Sequence, residues 1–248
     1  MKVQPEAWGS KWFNMKKRSK RYKECLKAFD STKSYSLPEA VKILKRFAPA
    51  KCDESVDLNF QLGVRPDQPN EAVRGATALP SGSGRKVRVL CFAKGEAQRA
   101  AEQAGAEYVG AEDYVKKIEG GWLDFDAVVA HPDMMREISK LGKVLGPRGL
   151  MPTPKTGTVT PDVGKAVKEI KGGRVEFKSD KTGGLHVLCG KRSFSEDALI
   201  SNVKTVIKAV SDAKPSAAKG DYLKRVTIST SQGPGIKLQA TAMNVAEE

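Results

Sequence analysis

Ser55-Val56-Asp57-Leu58-Asn59-Phe60-Gln61-Leu62 places an apolar residue at every second position. Successive side chains of a strand point to opposite faces. Val56, Leu58, Phe60 and Leu62 therefore share one face, and Asp57, Asn59 and Gln61 share the other. A strand with one apolar and one polar face suits an antiparallel sheet that is covered on one side only. The pattern returns late in the chain. Val175 and Phe177 alternate with Glu176 and Lys178, and Leu185 and Val187 alternate, less cleanly, with His186 and Leu188. Between them, Asp180-Lys181-Thr182-Gly183-Gly184 has the residues of a hairpin turn. A last strand is expected over residues 222–230, with Val226 and Ile228 on one face, ending at Gly233-Pro234-Gly235. Two helices belong with these strands. One spans residues 37–47, where Ser36 and Glu39 form a capping box and Val41 and Leu44 face inward. The other is expected to start at a Ser193 cap, with Glu196 as its partner, and to run to about Ser211. Its stripe of Leu199, Val203, Val206, Ile207 and Val210 reads as core.

The middle of the chain has a different character. Residues 64–84 are loop-rich, with Pro66, Pro69 and Pro80. Residues 87–93 are nearly all apolar, as in a strand buried on both faces. A helix over 96–104 follows, then a short strand at Tyr108 and Val109, a helix near 114–118, a buried strand over 125–130 and a helix over 134–141. Alternating buried strands and helices indicate right-handed βαβ units around a small parallel sheet. The expected architecture is α/β with two domains. An antiparallel two-layer α+β domain is built from both chain ends, residues 1–82 plus 174–248. A Rossmann-like three-layer α/β domain, residues 83–173, is inserted. The crossings near Gly82 and Gly173 are flanked by glycine and suit hinges.

Forty-three Lys and Arg against 29 Asp and Glu leave a net charge of +14, which points to a polyanionic partner. Lys16, Lys17, Arg18, Lys20, Arg21 and Lys23 form one basic run. Cys25, Cys52, Cys91 and Cys189 are too far apart for a metal knuckle or redox pair, and His131 and His186 stand alone, so neither metal nor disulfide is expected. That usage suits a reducing, cytoplasmic setting. The sequence contains no membrane-length apolar run, and Lys11 and Asn14 interrupt the apolar residues near the start, so no signal-peptide core is expected. An enzymatic reading lacks its motifs. Ala93-Lys94-Gly95-Glu96 follows the first buried strand in place of a Gly-x-Gly-x-x-Gly turn. Residues 149–156 end in Lys155-Thr156 as a phosphate loop does, but Pro154 stands where the second glycine belongs and offers no N–H. No enzyme and no cofactor are expected.

The segment Leu141-Gly142-Lys143-Val144-Leu145-Gly146-Pro147-Arg148-Gly149-Leu150-Met151-Pro152-Thr153-Pro154-Lys155 concentrates glycine, proline and cations in what reads as a non-helical loop. It resembles the signature of the large-subunit ribosomal protein L-one family, bacterial type. Gly146, Pro147, Arg148, Gly149, Pro152 and Lys155 are its marked positions. Val73-Arg74-Gly75-Ala76-Thr77, Phe125-Asp126-Ala127-Val128-Val129-Ala130, Gly157-Thr158-Val159-Thr160 and Ala218-Lys219-Gly220 match in the same order. The resemblance implies two hinged domains, the end-built one gripping the rRNA of the mobile stalk beside the tRNA exit site. It also implies help in releasing deacylated tRNA, repression in many bacterial members of translation from their own messenger, ribosome association, a monomeric state off the ribosome and no membrane. The family's RNA-contacting surface maps onto three places. These are Lys51, Cys52, Glu54 and Ser55 ahead of the first strand; Lys178, Asp180, Lys181 and His186 around the hairpin; and Thr230, Ser231, Gln232 and Gly233 after the last strand. Cys52 stands where the family usually has an aromatic residue, and Ser231-Gln232-Gly233 where it has Thr-Met-Gly. A general architectural RNA-binding protein shares the charge and differs in selectivity.

Overall fold

The computed structural model describes residues 18–64, 71–216, 218 and 220–239. Lys16, Lys17, Pro66, Pro69 and Lys219 lie outside them, and of Lys155 only the backbone is described. The basic run enters helix α1, Lys20–Lys27, whose first turn is capped by Ser19 Oγ accepting from the Tyr22 amide at 3.3 Å. Helix α2, Leu37–Arg46, carries the expected capping box, with the Glu39 carboxylate accepting from the Ser36 amide at 3.2 Å. Strand β1, Ser55–Leu62, alternates in burial as its sequence requires. Strand β2, Arg74–Ala78, lies in the stretch expected to be loop.

The middle of the chain supplies β3 (Val89–Phe92), α3 (Glu96–Gln103), β4 (Tyr108–Gly110), α4 (Glu112–Glu119) and β5 (Ala127–Ala130). They form a parallel sheet of order β4-β3-β5. Leu90 and Phe92 of β3 pack with Ile118, Ile138 and Leu141 on one face. Val89 and Cys91 pack with Ala101, Val167 and Ile170 on the other. The single helix expected at 134–141 is broken. A 3-10 turn, Pro132–Met134, leads into α5 (Met135–Ile138), a second 3-10 turn (Ser139–Leu141) and α6 (Gly142–Leu145). The signature segment is thus helical at α6 and again in a 3-10 turn at Pro154–Thr156, contrary to the non-helical reading. Helix α7, Val163–Lys171, was not expected. Its Val163, Ala166, Val167 and Ile170 cover the second face of the parallel sheet.

The chain ends with β6 (Arg174–Lys178), β7 (Gly184–Lys191), α8 (Glu196–Asp212), β8 (Leu223–Thr230) and β9 (Ile236–Lys237). A four-stranded antiparallel sheet runs β7-β1-β8-β9. Helices α2 and α8 both cover its apolar face, where Val56, Leu58, Phe60 and Leu62 meet Leu44, Leu199, Val203 and Val206. Each such side chain contributes roughly 1.5–3 kcal/mol through burial. Helix α8 begins two residues later than expected. Ser195, not Ser193, caps it by accepting from the Ala198 amide, while Ser193 donates to the Asp53 carboxylate at 2.9 Å. Strands β6 and β7 are not a regular hairpin either. β6 pairs with β2 in a separate two-stranded sheet, and only the Ser179–Leu185 bridge joins it to β7. Gly75 leaves room over that pairing for the Phe177 ring, which a Cβ there would approach within 2.6 Å.

The two chain crossings touch. Gly82 and Gly173 both have positive φ, and a Cβ on Gly173 would lie 2.6 Å from the Gly82 Cα. Fully buried Asn202 of α8 holds this point. Its Oδ1 accepts from the Ser81 amide at 3.0 Å, and its Nδ2 donates to the carbonyls of Gly82 at 3.0 Å and Cys189 at 2.7 Å.

Candidate nucleic-acid interface

Two helices cover one face of the four-stranded sheet, and the other face is left polar. The register sets Asp57 opposite Leu188 and Ser229, Asn59 opposite His186 and Thr227, and Gln61 opposite Gly184 and Arg225. These residues lie on the side away from the buried cluster and are half-buried or exposed, Gly184 excepted. The polar groups brace one another. Asn59 Oδ1 accepts from His186 Nδ1 at 2.7 Å, and Asn59 Nδ2 donates to Ser229 Oγ at 3.0 Å. An amide oxygen cannot donate, so His186 Nδ1 is the donor of this bond. Gln61 Nε2 donates to the Thr182 carbonyl at 3.1 Å. The result is a shallow, hydrogen-bonding floor bounded by Asp180, Thr182, His186, Arg225 and Thr227.

The residues expected from the sequence stand at the two ends of this floor. Where β1 begins, Ser55 is paired with Lys191, and Lys191 Nζ donates to Ser55 Oγ at 3.0 Å. Ser231 Oγ accepts from the Ser55 amide at 3.1 Å, and the Ser231 amide donates to the Ser55 carbonyl at 3.0 Å. Lys51 and Cys52 are exposed just before β1, and Gln232 is exposed beside Ser231. Where β1 ends, Lys178, Asp180 and Lys181 are exposed around the turn into β7. Asp180 Oδ1 accepts from the Thr182 amide, the Thr182 hydroxyl and the Gly184 amide. The Thr182 hydroxyl and these amides hold the Asp180 carboxyl below the usual aspartate range. That oxygen shapes the turn. Asp57, on the floor itself, behaves oppositely: burial pushes its carboxyl up, against the opposing pull of His186 and Lys191.

Three expected contacts need correction. Glu54 is 1% exposed and is the shared counter-ion of Arg21 and Arg192, at 3.3 and 3.2 Å, so its carboxylate faces the protein interior. Thr230 is buried, and its Oγ1 has no hydrogen-bond partner among the described residues. Gly233 makes its close approach inward: a Cβ there would fall on Thr230 Oγ1 and lie 3.4 Å from Phe47. The signature segment does not line that floor, although its Gly149, Leu150 and Met151 share a cavity with Leu188 on the floor side of β7. Gly146, Pro147, Arg148 and Gly149 are exposed, Pro152 is buried, and Gly149, Leu150 and Met151 border a cavity with Arg85, Asp126 and Arg174.

Sequence reasoning missed Arg21, Asn59, Gln61, Lys191, Arg225, Thr227 and Ser229. The one available signal was the polar face of β1 itself: the two helices of this part of the chain both cover the apolar face. The four cysteines are free, with only Cys52 exposed. Among the described residues no cluster is placed to hold a metal ion, and no helix is long and apolar enough to cross a membrane. Compared with known families, residues 44–234 match the model of the ribosomal protein L1p/L10e family. The match takes in β1, both crossings, the signature segment and the turn after β8.

Proposed function

Since this chain belongs to the ribosomal protein L1p/L10e family, and so to the rRNA-binding proteins of the large ribosomal subunit, we propose that it holds the rRNA of the mobile stalk on the open face of its four-stranded sheet. The carrying observation is that floor: a sheet face left free by both helices, with its polar groups braced by hydrogen bonds between Asn59, His186 and Ser229. Folded RNA is recognised largely through phosphates, 2′-hydroxyls and shape. The floor offers donors and acceptors in fixed positions. Lys51 and Lys191 at one end, and Lys178, Lys181 and Arg225 at the other, supply charges for phosphates. Cys52 and Ser231 lie at the first end, within reach of the same RNA.

In this reading the chain forms two domains, residues 1–82 plus 174–248 and residues 83–173. The first carries the RNA floor. The second carries the signature segment at Gly146, Arg148 and Lys155, which steadies that domain or touches neighbouring RNA or tRNA. The separate buried clusters on the two sheets and the touching glycines at the crossings support this division. Movement of the stalk then assists release of deacylated tRNA from the exit site. A messenger segment that mimics the stalk would occupy the same floor and repress translation of the protein's own message.

The test has two parts. The chain in cell lysate should sediment with large ribosomal subunits. Purified, it should prefer a transcript of the stalk rRNA to a scrambled RNA of equal length by about a thousandfold or more. Equal affinity for both would leave only a general RNA binder.

A further inference from the structure

Gln232 is exposed at the β1 start of the floor, and its surroundings constrain it on one side. Arg21 Nη2 donates to the Gln232 carbonyl at 2.8 Å and to Gln232 Oε1 at 3.2 Å. The other guanidinium nitrogen, Nη1, donates to Glu54 Oε1 and to the Ala48 carbonyl, both at 3.3 Å. Buried Glu54 is held in turn by Arg192. Arg21 is thus fixed by acceptors on both branches of its fork.

A guanidinium has five N–H donors and no acceptor. Turning the Gln232 amide over would set its NH2 against those donors, so Oε1 must face Arg21 and Nε2 must face away. Among the described residues Nε2 has no partner. The backbone beneath is held as well, because the Gly233 amide donates to the Thr230 carbonyl at 3.1 Å and Ser231 is tied to Ser55.

We propose that Gln232 is a specificity-determining residue that presents only donors: its Nε2 hydrogens read an acceptor atom on the bound RNA, and Arg21 is the positioning residue that sets their direction. The partner atom is a non-bridging phosphate oxygen, a 2′-oxygen, or a base carbonyl or ring nitrogen. Because the amide is oriented before binding, less side-chain freedom is lost on contact. The proposal rests on the reading that this sheet face meets RNA.

The test uses the full chain, the stalk transcript and a scrambled RNA. Gln232→Glu keeps both oxygens that Arg21 grips, so the turn is retained. It removes both donors and aims a negative charge at the RNA. Affinity for the stalk transcript should fall about tenfold or more, since the hydrogen bond is lost and repulsion from the RNA's charge is added. Gln232→Met should cost about three- to fivefold. In the wild type, the side-chain 15N resonance of Gln232, assigned by its loss in Gln232→Met, should shift when RNA is added. In Arg21→Lys, which cannot span both oxygens, that amide should become more mobile and affinity should fall part-way. Lys181→Ala, at the far end of the floor, separates the two levels of the argument. If it weakens binding while Gln232→Met binds as tightly as the wild type, this proposal is overturned and the sheet face stands. If the wild type shows no preference for the stalk transcript, the face itself has been misread.

Discussion

Gly233 shows how a residue's role can be inverted by the direction of one missing atom. Read as a residue type after a strand, it suggests room for an RNA backbone. In the structure the room it leaves is filled by Thr230 and Phe47. Gly233→Val should therefore destabilise the protein by about 1–3 kcal/mol through overpacking. A melting curve checks this without any RNA; an unchanged midpoint together with weakened stalk binding would restore the outward reading. Asp57 is the opposite case, a charge that the site would be better without. Its carboxyl is raised mainly by burial, so ionising it costs more in the folded state than in water. In the proposed complex it would also face the RNA phosphates. Asp57→Asn should raise the melting temperature slightly and tighten stalk binding a fewfold, with a flatter dependence on salt. Looser binding would mean that the carboxylate accepts a hydrogen bond from the RNA. Lys51, Cys52 and Lys181 were reached through the family resemblance, and the structure shows all three exposed. The Asn59–Ser229 bond was not legible, because it depends on register between distant strands, nor was the contact of Arg21 on α1 with Gln232, 211 residues away.

Elements with a strong local period were readable in advance. Strand β1 and helix α2 match their expected patterns because alternation and a capping box are encoded within a few residues. Strand β2 was hidden because Arg-Gly-Ala-Thr-Ala has no apolar face, and it exists only through pairing with β6. Strand β9 was hidden because two residues carry no period. Helix α7 was not read, although Val163, Val167 and Ile170 have helical spacing. The turn from Asp180 to Gly184 is an element whose stability should follow acidity. Its carboxyl is lowered in the folded state, so its contribution is present above the ordinary aspartate range and is lost as pH falls through the lowered folded value. The protection factor of the Gly184 amide, its exchange relative to an unstructured amide at the same pH, should fall over that interval and not before. In Asp180→Asn the acid-dependent step should be absent.

At the scale of the molecule, the two-layer sheet domain should survive loss of the insertion. Gly82 and Gly173 are already in contact, so a chain joining residues 1–82 directly to 174–248 needs almost no rearrangement. It should melt cooperatively and bind the stalk transcript within about tenfold of the full chain, or ~1.4 kcal/mol. A molten product, or binding retained by residues 83–173 alone, would contradict the proposed division. The bracketing layout was visible in the sequence because the antiparallel pattern stops and resumes. The contact between the crossings was not, since nothing local marks Asn202 as their anchor. The same layout imposes an order on birth. Ser55 and Ser231, which bond at the rim, are 176 residues apart. At ~5–20 residues per second, roughly 10–35 seconds of synthesis separate them. For most of that interval β1 has only α2 to cover Val56, Leu58, Phe60 and Leu62, because β7 and α8 emerge late, while the parallel sheet can close from contacts much nearer in the chain. A nascent chain therefore cannot complete the proposed floor until β8 and Ser231 emerge, and one that ended before β7 would carry its stickiest strand unpaired.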